Sequence, residues 1–154
     1  MWWRMKRSEW ASQRGEGNKS ALKRIVDSGE IPGILAYAGG QPVGWCSVAP
    51  REVFPALERS RTLRRIDGEP VWSIVCFFVA KPFRRRGVTV KLLRAAVEYV
   101  RGQGGKIVEG YPSSPEKPST DAWVFTGLAS AFLQAGFVEV VRPTESRSIM
   151  RCYV

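Results

Sequence analysis

The sequence predicts an α+β fold, a mixed β-sheet flanked by helices and centred on a βαβ unit, and three observations carry that reading. First, "VWSIVCFFVA" at 71–80 is almost wholly apolar, rich in β-branched and aromatic residues, and bounded by Pro70 and Pro82. Such a run fits a central strand covered on both faces. Second, the apolar period then changes from that of a strand to that of a helix over residues 87–101. Third, "KIVEGY" at 106–111 returns to a strand pattern. Strand, helix and strand within about forty residues make a βαβ unit, whose two strands run parallel.

The other elements follow in order. Residues 18–28 predict a helix, with Leu22, Ile25 and Val26 apolar, Asn18 as N-cap and Gly29 beyond the end. "GILAYAGGQPVGWCSV" at 33–48 reads as two strands joined by a tight turn at Gly39 and Gly40. In the mixed stretch that follows, Val53, Phe54 and Leu57 line a short helix, and "RTLRRIDGEP" reads as an exposed connection. Within the 87–101 helix, Lys91, Arg94, Glu98 and Arg101 form a polar stripe opposite Leu92, Leu93, Ala96, Tyr99 and Val100. "PSSPEKPSTD" at 112–121 is a Pro/Ser loop. A short helix over 127–135 turns Leu128, Phe132 and Leu133 inward and closes at Gly136. "FVEVV" and "SIMRCYV" then read as a closing antiparallel pair. With no internal repeat, residues 1–154 are read as a single domain, and no clear strand precedes the first helix.

Composition narrows the chemistry. The 154 residues include no histidine, which removes Ser-His-Asp and Cys-His catalysis and the usual zinc ligand sets, so no metal is expected. Cys46, Cys76 and Cys152 lie far apart without a C-x-x-C pair and read as reduced thiols. With no apolar run long enough to span a membrane and no signal-peptide core, the expected location is cytoplasmic, without a membrane partner. The net charge of +10 biases the partner towards an anion.

The stretch "FVAKPFRRRGVTVKLL" shows where that anion belongs. A helix N-terminus presents unpaired N–H groups and a partial positive charge, and so favours acidic side chains. Here Lys81, Arg84, Arg85 and Arg86 stand beside it instead, with no acid from Lys81 to Arg94. A strand delivering a glycine-containing turn onto a helix N-terminus makes an anion cradle. Gly87 has no side chain to hold an anion off the backbone, and arginine supplies fork-shaped donors suited to phosphate. The pattern is that of a pyrophosphate site. It is neither a Walker loop nor a G-x-G-x-x-G turn.

Arg84-Arg85-Arg86-Gly87-Val88-Thr89, preceded by "CFFVAKPF", resembles the [R/Q]-x-x-G-x-[G/A] turn in motif A of the GNAT superfamily, the acyl-CoA-dependent N-acyltransferases. The order of elements from about residue 30 onward, including "FLQAGF" at 132–137, is similar as well. The resemblance implies a GNAT-like sheet whose βαβ unit binds acyl-CoA. The backbone of Phe77, Phe78 and Val79 would pair with the pantetheine arm. The amides of Arg85, Arg86, Gly87, Val88 and Thr89, with the Arg84 side chain, would hold the pyrophosphate. The thioester would lie where the central strand and its parallel neighbour splay apart. The implied partners are acetyl-CoA as co-substrate and a primary-amine acceptor, a small molecule or a protein; a homodimer stays open.

The sequence departs from the family at three places. Thr89 stands where Gly or Ala is usual, Phe132 where a Tyr often protonates the departing thiolate, and Ser73 near the offset of a catalytic Glu. In their place Glu109, inside an apolar strand, is the candidate base, and Tyr111, on the same face, the candidate acid. The blander reading of Glu109 is a strand carboxylate paired with Lys or Arg, that of Tyr111 is packing, and that of Cys76 is a small core residue. Trp2, Trp3 and Trp10 either cap the core or line a pocket. Two other functions remain: a CoA-binding sensor without turnover, and a basic nucleic-acid-binding module, against which stands the absence of any nucleic-acid-binding signature.

Overall fold

The computed structural model describes residues 1–114 and 125–154. The chain opens helically: a 3-10 turn at Trp2–Arg4, then α1 (Arg7–Ser12) and α2 (Glu16–Asp27), before any strand. Helix α2 starts two residues ahead of the expected Asn18. Glu16 supplies the acid that a first turn favours, and the Asn18 side chain donates to the Trp10 carbonyl at 3.1 Å instead of capping. The hairpin follows as β1 (Gly33–Ala38) and β2 (Gln41–Pro50), turning at Gly39 and Gly40. A second 3-10 turn at Arg51–Val53 and α3 (Pro55–Glu58) fill the mixed stretch. The βαβ unit comprises β3 (Trp72–Val79), α4 (Val88–Gly102) and β4 (Ile107–Gly110). Helix α5 (Ala129–Gln134) and the pair β5 (Val138–Thr144) and β6 (Arg147–Tyr153) close the chain.

The strands form one sheet in the order β1-β2-β3-β4-β6-β5, parallel only between β3 and β4. The α+β expectation and its central unit hold. Successive strand residues face opposite sides of the sheet, which therefore carries two cores. On one side α4 lays Leu92, Leu93, Ala96, Val97 and Val100 against Cys46, Val48, Ile74 and Val108. On the other, Phe54, Leu57 and Leu63 pack on Ala49, Val75, Tyr111 and Ile149.

Two expectations are corrected. Leu128 and Leu133 are exposed, and Phe132 alone of the three is buried, because a helix of six residues offers the sheet one narrow face. Phe132 meets Phe77 and Phe137 edge to face, at 6.0 and 5.0 Å between ring centres. A Cβ on Gly110 would lie 2.1 Å from the Phe132 ring, so this packing requires glycine there. The "RTLRRIDGEP" connection is not simply exposed either. It buries Leu63 and sends Asp67 to Arg151. The Pro/Ser loop from residue 115 to 121 lies outside the described residues.

Candidate functional site

The site begins as a mismatch in strand length. Strand β3 has eight residues and β4 four, and they pair only at Trp72 with Val108, Ser73 with Glu109 and Ile74 with Gly110. Beyond Ile74 the edge of β3 that faces β4 is released, and the two strands part. An extra residue enters β3 at the same level: Ser47 opposes Cys76 whereas Val48 opposes Ile74, leaving Val75 as a bulge. Bulges re-aim backbone groups and recur beside active sites. Two groups on the released edge have partners. The Phe77 amide donates to the Phe125 carbonyl at 2.7 Å, and the Val79 carbonyl accepts from Arg84 Nε at 3.1 Å.

From the open end of β3 the chain makes a 3-10 turn (Lys81–Phe83) and a bend that starts α4. Arg84, Arg85, Arg86 and Gly87 are exposed there, and Phe78 and Val79 lie at the strand end that leads into them. Gly87, the N-cap, is left-handed at φ +73°, and Arg85 is left-handed at φ +59°. A non-glycine residue in that region costs on the order of 1 kcal/mol, and such strain gathers at functional sites. The Lys91 amide bonds to the Gly87 carbonyl at 3.1 Å. The amides of Gly87, Val88 and Thr89 therefore precede the helical ladder, and none donates to a backbone carbonyl of the described residues. The first turn of α4 has no acidic residue, and a Cβ on Gly87 would meet nothing within 4 Å. The Arg86 guanidinium lies over the Phe83 ring, 5.9 Å from its centre. The bend is thus an open, cationic set of backbone donors at a helix N-terminus, a geometry suited to a phosphate.

Glu109 and Tyr111 are brought together, but inside an ion cluster on the α3 side of the sheet. Both are essentially inaccessible. Glu109 Oε1 accepts from Arg51 Nη1 at 3.0 Å and from the Tyr111 hydroxyl at 2.7 Å, while Oε2 accepts from Arg151 Nε at 2.8 Å. Arg51, itself buried, also binds Glu58 at 2.8 Å and the Leu63 carbonyl at 2.6 Å. Arg151 reaches Asp67 at 2.6 Å. The Tyr111 hydroxyl lies 2.8 Å from Ser73 Oγ and 2.8 Å from Arg51 Nη1. Burial first, then the Glu109 charge, push the Tyr111 phenol up from its ordinary range. Both oxygens of Glu109 are engaged by guanidinium groups, so the bare carboxylate that a general base needs is not on offer here. Arg51 and Arg151 were missed in the sequence. The signal was there: an arginine after Pro50 in an apolar run, and another in the otherwise apolar "SIMRCYV".

A small concavity of about 20 Å³ lies on the same side of the sheet, lined by Trp3, Arg4, Trp45, Ser47, Phe54 and Cys76 among others. Trp3 packs on the α3-side core and also borders this concavity, while Trp2 and Trp10 pack edge to face at 5.2 Å. Burial pushes the Cys76 thiol up to about 11, so it is protonated near neutrality.

The model of the acetyltransferase (GNAT) family matches residues 2–122. The chain belongs to that family. It is an enzyme of this type, a GNAT acetyltransferase. No curated protein matches the chain. Among solved structures it is similar to the ribosomal-protein-alanine N-acetyltransferase from Brucella melitensis, with TM-score 0.57 and 18% identity over 90% of this chain and 78% of that one. It is also similar to the NatC complex bound to Gag peptide and CoA, with TM-score 0.57 and 10% identity over 88% and 79%. A third is aminoglycoside acetyltransferase AAC(6')-Ib in complex with coenzyme A and kanamycin, with TM-score 0.53 and 21% identity over 77% and 64%. At these identities the likeness is one of GNAT fold. Among the described residues no helix is long and apolar enough to cross a membrane, and no group of His, Cys, Asp and Glu could hold a metal ion.

Proposed function

We propose that this GNAT enzyme transfers the acetyl group of acetyl-CoA to a primary amine. One observation carries the reading: an exposed bend, left-handed at Gly87, crowded with arginines and leading into first-turn amides that precede the helical ladder, stands at the end of a strand edge released from its partner. The residues fit the co-substrate. The amides of Arg85, Arg86, Gly87, Val88 and Thr89, with the Arg84 guanidinium, hold the pyrophosphate. The released edge of β3, at Phe77 and Val79 with Phe78 between them, holds the pantetheine arm as an added strand would be held. Acetyl-CoA supplies the activated acyl carbon, which the amine nitrogen attacks as the C–S bond breaks, and the departing thiolate takes its proton from solvent. Once it exchanges the Phe125 carbonyl for the thioester, the Phe77 amide, which faces the split beside the Val75 bulge, stabilises charge on the thioester oxygen.

Glu109 and Tyr111 serve this chemistry as supports. Their cluster fixes β4 against β3 at the level where the strands part, and the amine loses its proton to solvent. Phe132, packed between two phenylalanines, has no proton to give.

Calorimetry with acetyl-CoA at two salt concentrations, followed by thiol release over a panel of amines, tests the proposal. Saturable micromolar binding with thiol release is the expected result. Binding without release for any amine would put a sensing role in place of transfer. Affinity that collapses with salt, and that nucleic acid reproduces, would favour a nucleic-acid module.

A further inference from the structure

The sheet face opposite α4 carries an apolar row beside the split, exposed at both ends and half-buried at its middle residue, Trp45. Pairing registers place Leu35 opposite Trp45 and Trp45 opposite Phe78, so these three side chains share one face. The preceding row, Ile34, Cys46 and Phe77, packs into the α4 core, which sends the first row to the other side. There Leu35 is 51% exposed and Phe78 58%, and Tyr37, farther along β1, is 61% exposed. Large apolar side chains aligned in this way and left to solvent mark a binding surface. Phe78 sits between Phe77 and Val79, the residues whose backbone groups lie on the released edge of β3. At Trp45 the row continues into the concavity walled by Trp3 and Phe54.

The strands that carry it are uncharged. No Asp, Glu, Lys or Arg occurs from Gly33 to Pro50 or from Val71 to Ala80. A site built for a polyamine, an aminoglycoside or a lysine-rich tail needs carboxylates to replace the water around several ammonium groups. These strands supply none.

We infer that the acceptor is a primary amine carried on an apolar, ring-sized body that lies on the Leu35–Trp45–Phe78 row, and that polycations are poor acceptors. The inference rests on the proposed acetyl transfer. The amine end projects past Phe78 into the split, while the row takes one face of the body out of water. Specificity then comes from buried apolar area, and the uncharged strands offer multiply charged competitors no carboxylate.

Thiol release with acetyl-CoA on the full chain tests this with 2-phenylethylamine, tryptamine, spermidine and kanamycin as acceptors. The aryl amines are expected to exceed both polycations in kcat/KM by at least about 10-fold, the discrimination that even one buried methylene can give. Leu35→Glu is expected to raise KM for 2-phenylethylamine and lower it for spermidine, with KM for acetyl-CoA unchanged. Leu35→Met is expected to keep the wild-type order, which separates lost contact from lost folding. Equal or better turnover of spermidine would overturn the acceptor class while leaving acetyl transfer intact. Sedimentation showing a dimer that Leu35→Glu dissociates would overturn it too, because a second copy would then cover the row. Failure of acetyl-CoA to bind in calorimetry would remove the transfer reading itself.

Discussion

The Phe77 amide donates to the Phe125 carbonyl at 2.7 Å, across the gap that opens where β3 leaves β4. This is a strand-like bond made by a segment outside the sheet. Gly127, at φ +89°, keeps that segment close: a Cβ there would lie 2.9 Å from the Phe132 ring and 3.1 Å from Phe77. A donor held in this way cannot also serve a thioester oxygen. Saturating acetyl-CoA is therefore expected to move the Phe77 amide resonance more than those of β2-paired residues such as Phe78, and to raise hydrogen exchange at residues 125–127. An unmoved Phe77 resonance at saturation would mean that the thioester is seated elsewhere.

Gly87 allows a clean separation of strain from site chemistry. Its surroundings are open, so a substituent meets no neighbour and pays only for the left-handed backbone, about 1 kcal/mol. Gly87→Asn, which tolerates that conformation, is expected to stay near wild type in stability and to bind acetyl-CoA with a small loss. Gly87→Glu brings a carboxylate to the helix N-terminus where the pyrophosphate belongs, and is expected to weaken binding by roughly 100-fold, about 2.8 kcal/mol. Calorimetry on the two variants decides it. Equal losses would leave strain as the whole cause.

How much of this could be read beforehand depended on distance along the chain. Helix α4, its polar stripe and its flanking strands are local patterns, and the bend that opens α4 falls within six residues. The released strand edge was not visible directly, because it depends on where β4 stops. The environment of Glu109 was also hidden. Its partners Arg51 and Arg151 are 58 and 42 residues away, joined to it only by sheet register and by a 3-10 turn whose position no periodicity announces. Leu133 failed for the opposite reason: an apolar residue on a short helix looks buried by pattern although the helix has no second face to cover.

The ion cluster around Glu109 is expected to act on stability more than on proton transfer. Removing one member of a buried pair strands its partner, at a cost of about 3–5 kcal/mol. Arg51→Met should destabilise the protein on that scale in chemical denaturation, and Glu109→Gln by a smaller amount, since the amide keeps the shape. The double variant should lose less than the sum, because neither change then leaves a lone charge. A catalytic base would behave differently. Glu109→Gln would then remove an ionisation from the pH dependence of kcat/KM at unchanged stability. The expected profile instead rises with pH towards the pKa of the free acceptor amine, in the variant as in the parent.

Acid should loosen the outer end of the same cluster and, separately, the Glu139 contact on β5. The hydrogen bond from Arg151 holds the Asp67 carboxyl below its usual value, and that from Ser148 does the same for Glu139. A group depressed in the folded state stabilises the fold above its unfolded pKa, near 3.9 for Asp and 4.3 for Glu, and loses that contribution as pH falls through the folded value. The melting temperature is thus expected to be flat with respect to these groups above about pH 5 and to fall below about pH 4. Asp67→Asn should lower the plateau and make the acid decline shallower. A decline of unchanged steepness would assign acid sensitivity to other carboxylates and leave Asp67 a surface contact that Arg151 does not need.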